Sequence, residues 1–157
     1  PTKGSYLVDN RPNIVDREGM NFYEEANIHT SDNHDYYNNE WDKGHMAPAI
    51  HFSDSFENLK ATYSYVNSAL QHMSLNRGAW RDLELAVRGW AESEKLFVEN
   101  NILFKDESFV LKSGATVPSG FEKNIKFIES GERKCYFFRN KETDKSWYEF
   151  EKDCIKK

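Results

Sequence analysis

Residues 41–49 read WDKGHMAPA, an acid, a lysine, a glycine and a histidine in succession, closed by Ala-Pro-Ala. Histidine titrates closest to neutrality, so His45 is a candidate for proton transfer. Gly44 allows close backbone approach and Pro48 bars a helix from the segment, so His45 is presented at the end of an element, facing a ligand. A single histidine near aromatic residues is more often structural than catalytic. Its significance depends on a second stretch, LNRGAWRDLELAVR, about thirty residues downstream. There Asn76 is of the type that caps a helix, and Glu84 and Arg88 follow at i and i+4. By itself that spacing implies only an exposed ion pair of about 0.2–0.5 kcal/mol. Arg77 and Arg81 form a solvated face unless a phosphate lies beside them, where they would supply positive potential.

The elements that must position these residues are unevenly legible. At 100° per residue, Ala79, Trp80, Leu83, Ala86, Val87 and Trp90 gather on one side, with Arg77, Arg81, Glu84 and Arg88 on the neighbouring stripe. The periodicity predicts a helix that opens near Asn76 and ends before KLFV at 95–98. SYLV at 5–8 reads as a short strand, and the Asn-, Asp- and Tyr-rich stretch at 29–39 as a loop leading into the His45 segment. Residues 51–78 mix aromatic and polar types without a period and read as irregular with short helical turns. KLFV and ILFK, separated by ENN, read as strands or a hairpin, SFVLKS as a further strand, and NIKFIESGERKCYFF as a second hairpin broken at Ser-Gly. WYEF is ambiguous, and EKDCIKK reads as a short helix or frayed end. The expected fold class is α+β, one domain over residues 1–157, with antiparallel strands and one dominant helix.

These segments together resemble the DNA/RNA non-specific endonucleases of the ββα-metal class, the endonuclease G-like family. That family carries D-R-G-H-x-A-P, then S-N-x-x-P-Q, then L-N-x-x-x-W-x-x-L-E-x-x-x-R. The first is matched by Asp42-Lys43-Gly44-His45-Met46-Ala47-Pro48. The third is matched by Leu75-Asn76, Trp80, Leu83-Glu84 and Arg88, and the middle one by Asn67 and Gln71 in VNSALQ, without its proline. The motif core spans 36–90, and weaker echoes extend the likeness from about residue 6 to 138. The resemblance implies a central antiparallel sheet with a ββα-metal (His-Me finger) element, His45 ending a strand and Asn76 opening the helix. It also implies hydrolysis of DNA and RNA without strong sequence preference, giving 5′-phosphate ends. His45 would be the general base, its tautomer set by an acceptor on the other ring nitrogen. Asn76 would hold one Mg²⁺, with Mn²⁺ as a substitute, while Glu84 would hydrogen-bond the waters around it. Arg88 would contact phosphate and Arg17 the transition state. Lys43, Arg77 and Arg81 are the expected substrate-binding cations, and Asp42, Gly44 and Asn67 structural supports. Lys43 stands where the family has arginine, so a forked contact becomes a point charge. Homodimers are common in the family.

Bulk properties bound these expectations. The 157 residues carry a net charge of −5, against the usual basic balance of a stoichiometric nucleic-acid binder, although an enzyme with a locally basic cleft and a cation remains compatible. No apolar run is long enough to span a bilayer. Cys135 and Cys154 are two free or singly bridged thiols without metal spacing, and His29, His34, His51 and His72 match no compact zinc site. Tyr36, Tyr37 and Trp41 are expected to pack the loop that holds His45, with base stacking as the alternative. The start at Pro1 suggests a processed form or fragment, and a removed leader would fit a secreted or organellar location. Two rivals are a silent nuclease-fold module that binds nucleic acid or a protein, and a zinc-stabilised interaction domain.

Overall fold

The computed structural model describes residues 3–12 and 14–155. In chain order these form β1 (Lys3–Val8), β2 (Trp41–His45), α1 (Phe56–Ala61), β3 (Ser68–His72), α2 (Met73–Arg77), α3 (Ala79–Trp90) and β4 (Leu96–Leu103). They continue through β5 (Phe109–Val110), β6 (Thr116–Val117), β7 (Gly120–Phe127), β8 (Arg133–Arg139) and β9 (Glu151–Lys152). The fold is α+β, with a central antiparallel sheet in the order β1-β4-β7-β8-β9. Separate two-stranded ladders pair β2 with β3 and β5 with β6. Among the described residues, no helix is long and apolar enough to cross a membrane.

Alternation along the central strands gives the sheet one core-facing side. On β4, Leu96, Val98 and Asn100 are buried, and on β7, Phe121, Lys123, Ile125 and Phe127. Against them packs α3, whose Ala79, Trp80, Leu83 and Val87 fall on one stripe and are all buried. Trp80 is fully buried, its ring centroid 5.6 Å from that of Phe121 and 5.4 Å from that of Phe138. Burying Leu83 or Val87 here contributes roughly 1.5–3 kcal/mol each. This packing makes α3 a fixed platform for the residues on its upper turns.

Several local expectations are corrected. Asn76 does not open the long helix, because Gly78, at φ −113° and ψ −110°, separates a short α2 from α3. A Cβ at Gly78 would lie 2.6 Å from the Ser74 carbonyl oxygen, so the break needs glycine. The cap of α2 is His72, whose side chain accepts from Ser74 N. The stretch 51–78 holds α1 and the whole of β3. KLFV and ILFK are one strand, β4, with no turn between them: Asn100 faces the core and donates to the Met46 carbonyl at 2.7 Å, and Asn101 pairs with Lys3 and Glu122. The hairpin in 124–138 is present as β7–β8. SFVLKS contributes only the two residues of β5. WYEF is a 3-10 turn, Trp147–Phe150. The tail after it is extended, because a Cys135–Cys154 disulfide holds β9 against β8. Closing a loop of this size contributes about 3 kcal/mol. Lys156 and Lys157, also read as helix or frayed end, lie outside the described residues.

Candidate active site

The β2–β3 ladder carries His45 and ends at it, with Trp41 opposite His72 and His45 opposite Ser68. Gly44 is required by the neighbour strand: a Cβ there would meet Oε1 of the fully buried Gln71 at 2.4 Å and its Cβ at 2.8 Å. Past His45 the chain is clamped by Asn67. Its Oδ1 accepts from Ala47 N at 2.8 Å and its Nδ2 donates to the Ala47 and Thr62 carbonyls at 2.8 and 2.9 Å. Trp80 Nε1 donates to the His45 carbonyl at 3.3 Å, joining the strand end to α3. The His45 ring is gripped by aromatic rings, Phe22 at 4.8 Å and Tyr63 at 4.7 Å edge-on. Neither ring nitrogen hydrogen-bonds a described residue, so packing rather than the expected acceptor orients the imidazole, and Nε2 is buried and unpaired.

On the adjoining helices, Asn76 Nδ2 donates to Asp42 Oδ2 at 3.0 Å, which fixes the amide's donor end and leaves its oxygen without a hydrogen bond from the described residues. Arg77 forks onto the same carboxylate, 2.8 Å from Nε to Oδ2 and 2.8 Å from Nη2 to Oδ1. Asp42 thus holds both side chains, and the Arg77 charge is largely spent on it. Glu84 faces inward from α3, and its Oε2 is buried and unpaired.

A cleft of about 310 Å³ gathers Arg17, His45, Asn76, Arg77, Arg81 and Glu84. Two expected members lie elsewhere. Arg88 makes no ion pair with Glu84; its Nη1 donates to the Ile50 carbonyl and so props the backbone of the cleft wall. Lys43 donates to Asn33 Oδ1 at 2.7 Å, with its ammonium 5.8–5.9 Å from the ring centroids of Phe22, Tyr36 and Tyr65. A larger cleft, about 430 Å³, is lined by His29, His34 and Tyr65 among others and holds no candidate site residue. Trp41 is buried against Leu70 and Val117, with Tyr36 beside it, whereas Tyr37 is exposed.

Burial, and then the Arg17 charge, pushes the His45 imidazole down to about 4, so the ring is neutral near pH 7. Burial likewise pushes His51 down to about 3. Burial raises the Glu84 carboxyl to about 7, opposed by Lys123, Arg17 and Arg81. These shifts set an acid sensitivity. Between about pH 4.5 and 6.5 the unfolded chain binds protons on both histidines that the folded chain lacks, and the folded chain keeps one on Glu84 that the unfolded chain has lost. Unfolding then takes up one net proton, so stability rises with pH by up to about 1.4 kcal/mol per unit. Calorimetric melting at half-unit steps is expected to show Tm falling as pH drops from 6.5 to 4.5, less steeply in His51→Gln.

A hydrated divalent cation fits these donors. The free Asn76 oxygen and the buried, unpaired Glu84 Oε2 suit a hard ion that retains most of its water. Among the described residues, no group of three or more His, Cys, Asp or Glu converges. His51 instead contacts the Glu84 carbonyl at 3.0 Å, and His72 contacts Ser74 and Glu40.

Sequence reasoning missed Lys123, which is fully buried over the Trp80 ring of α3 and whose only signal was a lysine in the alternating apolar row of GFEKNIKF. It also missed Phe22 and Tyr63, which no pattern connects to His45. A family model for DNA/RNA non-specific endonuclease matches residues 4–156. No curated protein matches the chain. Among solved structures, the crystal structure of the EndoG/EndoGI complex, on the mechanism of EndoG inhibition, superimposes with a TM-score of 0.81 at 23% identity, covering 98% of this chain and 73% of that one. At that identity the likeness is one of fold.

Proposed function

Since the chain belongs to the DNA/RNA non-specific endonuclease family, we propose that it is a Mg²⁺-dependent nuclease, tolerant of Mn²⁺, that hydrolyses both DNA and RNA and leaves 5′-phosphate ends. The observation that carries this reading is the meeting of three residues on one cleft: His45 and Glu84, each with a buried, unpaired atom, and Asn76, whose oxygen accepts no hydrogen bond from the described residues. Neutral His45 takes the proton of the attacking water, its ring held in place by Phe22 and Tyr63. Asn76 would ligate the cation and Glu84 would accept hydrogen bonds from its waters; when bound, the cation would neutralise phosphoryl charge, and a water on it would give its proton to the leaving oxygen. Arg17 and Arg81 offset the remaining phosphate charge. Little sequence preference follows if contacts fall on phosphate and sugar rather than base edges.

The test is cleavage of plasmid DNA and of RNA across Mg²⁺ concentrations. The parent is expected to cut both and to stop with EDTA while its Tm stays put, since no structural metal cage is formed by the described residues. Asn76→Ala is expected to raise the Mg²⁺ needed for half-maximal rate roughly 10- to 100-fold. A folded parent inert with Mg²⁺ and Mn²⁺ would instead identify a nuclease-fold module that binds nucleic acid or a protein partner.

A further inference from the structure

The cleft that holds His45 does not end at Arg17. A second hollow of about 370 Å³, lined by Ile14, Val15, Asp16 and Ser53, shares both Arg17 and Ile50 with it. The walls of this hollow are tied together. Ile14 N and Val15 N both donate to the Ser53 carbonyl, at 2.9 and 2.8 Å, and Ser53 Oγ donates to the Ala49 carbonyl at 2.9 Å. The segment 14–17 is thereby fastened to the 3-10 turn, Ala49–His51, that follows His45. Ile50, in that turn, has its carbonyl held by Arg88. On this anchored backbone the Ile14 side chain is 70% exposed, an unusual place for a branched aliphatic group unless something apolar comes to it.

We propose that this hollow seats the nucleoside next to the scissile phosphate, its base lifted out of the stack onto Ile14, Val15 and Ile50. The proposal rests on the reading of the adjoining cleft as a nuclease site. Continuity through Arg17 is the first reason for this occupant: a strand with a phosphate at Arg17 has the adjoining nucleoside within reach of the hollow. Charge is the second. Arg17 is an exposed cation and attracts phosphate, whereas Asp16, on the hollow's own lining, repels a further phosphate and leaves the aliphatic floor to the uncharged part of the chain. The Asp16 carboxylate is fixed by accepting from Glu18 N at 2.9 Å. A base laid on aliphatic side chains gains by losing water and meets no hydrogen-bond pattern on that floor, so the seat takes any base. The cost is unstacking, which is least for a strand already single. Single-stranded DNA is therefore expected to be cut faster than duplex of the same sequence.

An end-labelled single-stranded oligonucleotide with one abasic nucleotide tests the seat against its own intact positions. With Mg²⁺, the parent is expected to cut one of the two linkages flanking the abasic nucleotide roughly 10-fold more slowly than the rest, the low end of what a lost apolar contact costs. In Ile14→Ser this dip should flatten, and KM for the intact oligonucleotide should rise by a similar factor with kcat little changed. Ile14 is exposed, so Tm should hold. An even cleavage ladder through the abasic position, or an Ile14→Ser variant that keeps the dip, overturns the proposal. Fluorescence reads the seat without cleavage. In EDTA, a single strand in which 2-aminopurine alternates with thymidine is expected to brighten when saturated with the parent, as bases leave the stack, and to brighten less with Ile14→Ser. If the parent brightens it but cuts nothing, the nuclease reading fails and the base seat stands. A strand that stays dim when bound, brightens equally with both proteins, or is not bound at all overturns the seat.

Discussion

Replacing His45 with Ala is expected to lower kcat for DNA and RNA cleavage by about 10²- to 10⁴-fold, the usual worth of a positioned general base, with a much smaller effect on KM. The direction follows from the location of His45, neutral near pH 7 and on the cleft that also holds Asn76 and Glu84. What should survive is the surrounding scaffold. The strand end is held through backbone atoms, by Trp80 on the His45 carbonyl and by the main-chain bond from Met46 N to Asn67 O at 2.9 Å, and neither needs the imidazole. The cost to stability falls on the ring contacts with Phe22 and Tyr63. Single-turnover rates with saturating substrate, beside Tm, separate the two effects. A variant that retains most of the parent's rate would remove His45 from the chemistry.

The second large effect is expected from one methyl group. In Gly44→Ala the new Cβ would lie 2.4 Å from Gln71 Oε1 and 2.8 Å from Gln71 Cβ, inside a ladder where Gly44 faces Ala69. Gln71 is fully buried and cannot swing into solvent, so β2 and β3 must separate locally. Overpacking of this kind costs about 1–3 kcal/mol. Activity should suffer beyond that, because a shift of His45 by about 1 Å is enough for a loss near 100-fold. Tm and kcat would be measured together in Gly44→Ala and in Gly44→Ala with Gln71→Ala. The second change removes the nearer of the two clashes and is expected to return part of both quantities. A Gly44→Ala chain as stable and as fast as the parent would mean that the ladder absorbs the clash.

His45 at a strand end, with Asn76 and Glu84 on one cleft, was readable because each belongs to a short pattern whose residue types are tied to chemistry; Arg17, on the same cleft, belongs to none. The stretch around it was not. β3 carries SALQH, too polar to alternate, and forms because β2 and the Asn140 side chain satisfy its backbone: Asn140 accepts from His72 N at 2.8 Å and donates to the Leu70 carbonyl at 2.8 Å. The break at Gly78 was hidden because the apolar period of α3 runs on across it. The destinations of the cations were hidden for another reason. Arg77 reaches Asp42 across 35 positions and Arg88 reaches Ile50 across 38, distances over which helical spacing carries no information. Lys123 is the same case, a charge whose partners arrive from β1 and α3.

Those destinations govern how strongly salt acts on substrate binding. Of the five candidate cations, Lys43 is held by Asn33 and three rings, Arg77 by Asp42, and Arg88 by Ile50. Arg17 makes no ion pair among the described residues, and Arg81 has only an exposed contact with Asp82 at 3.8 Å. Two cations, then, are free to replace counterions on phosphate. With about 0.9 ion released per neutralised phosphate on duplex DNA and 0.7 on single strands, log affinity should fall against log salt with slopes near about −1.8 and −1.4. A chain with a net charge of −5 thus gains little from bulk attraction and holds its polymer through a short, locally charged grip.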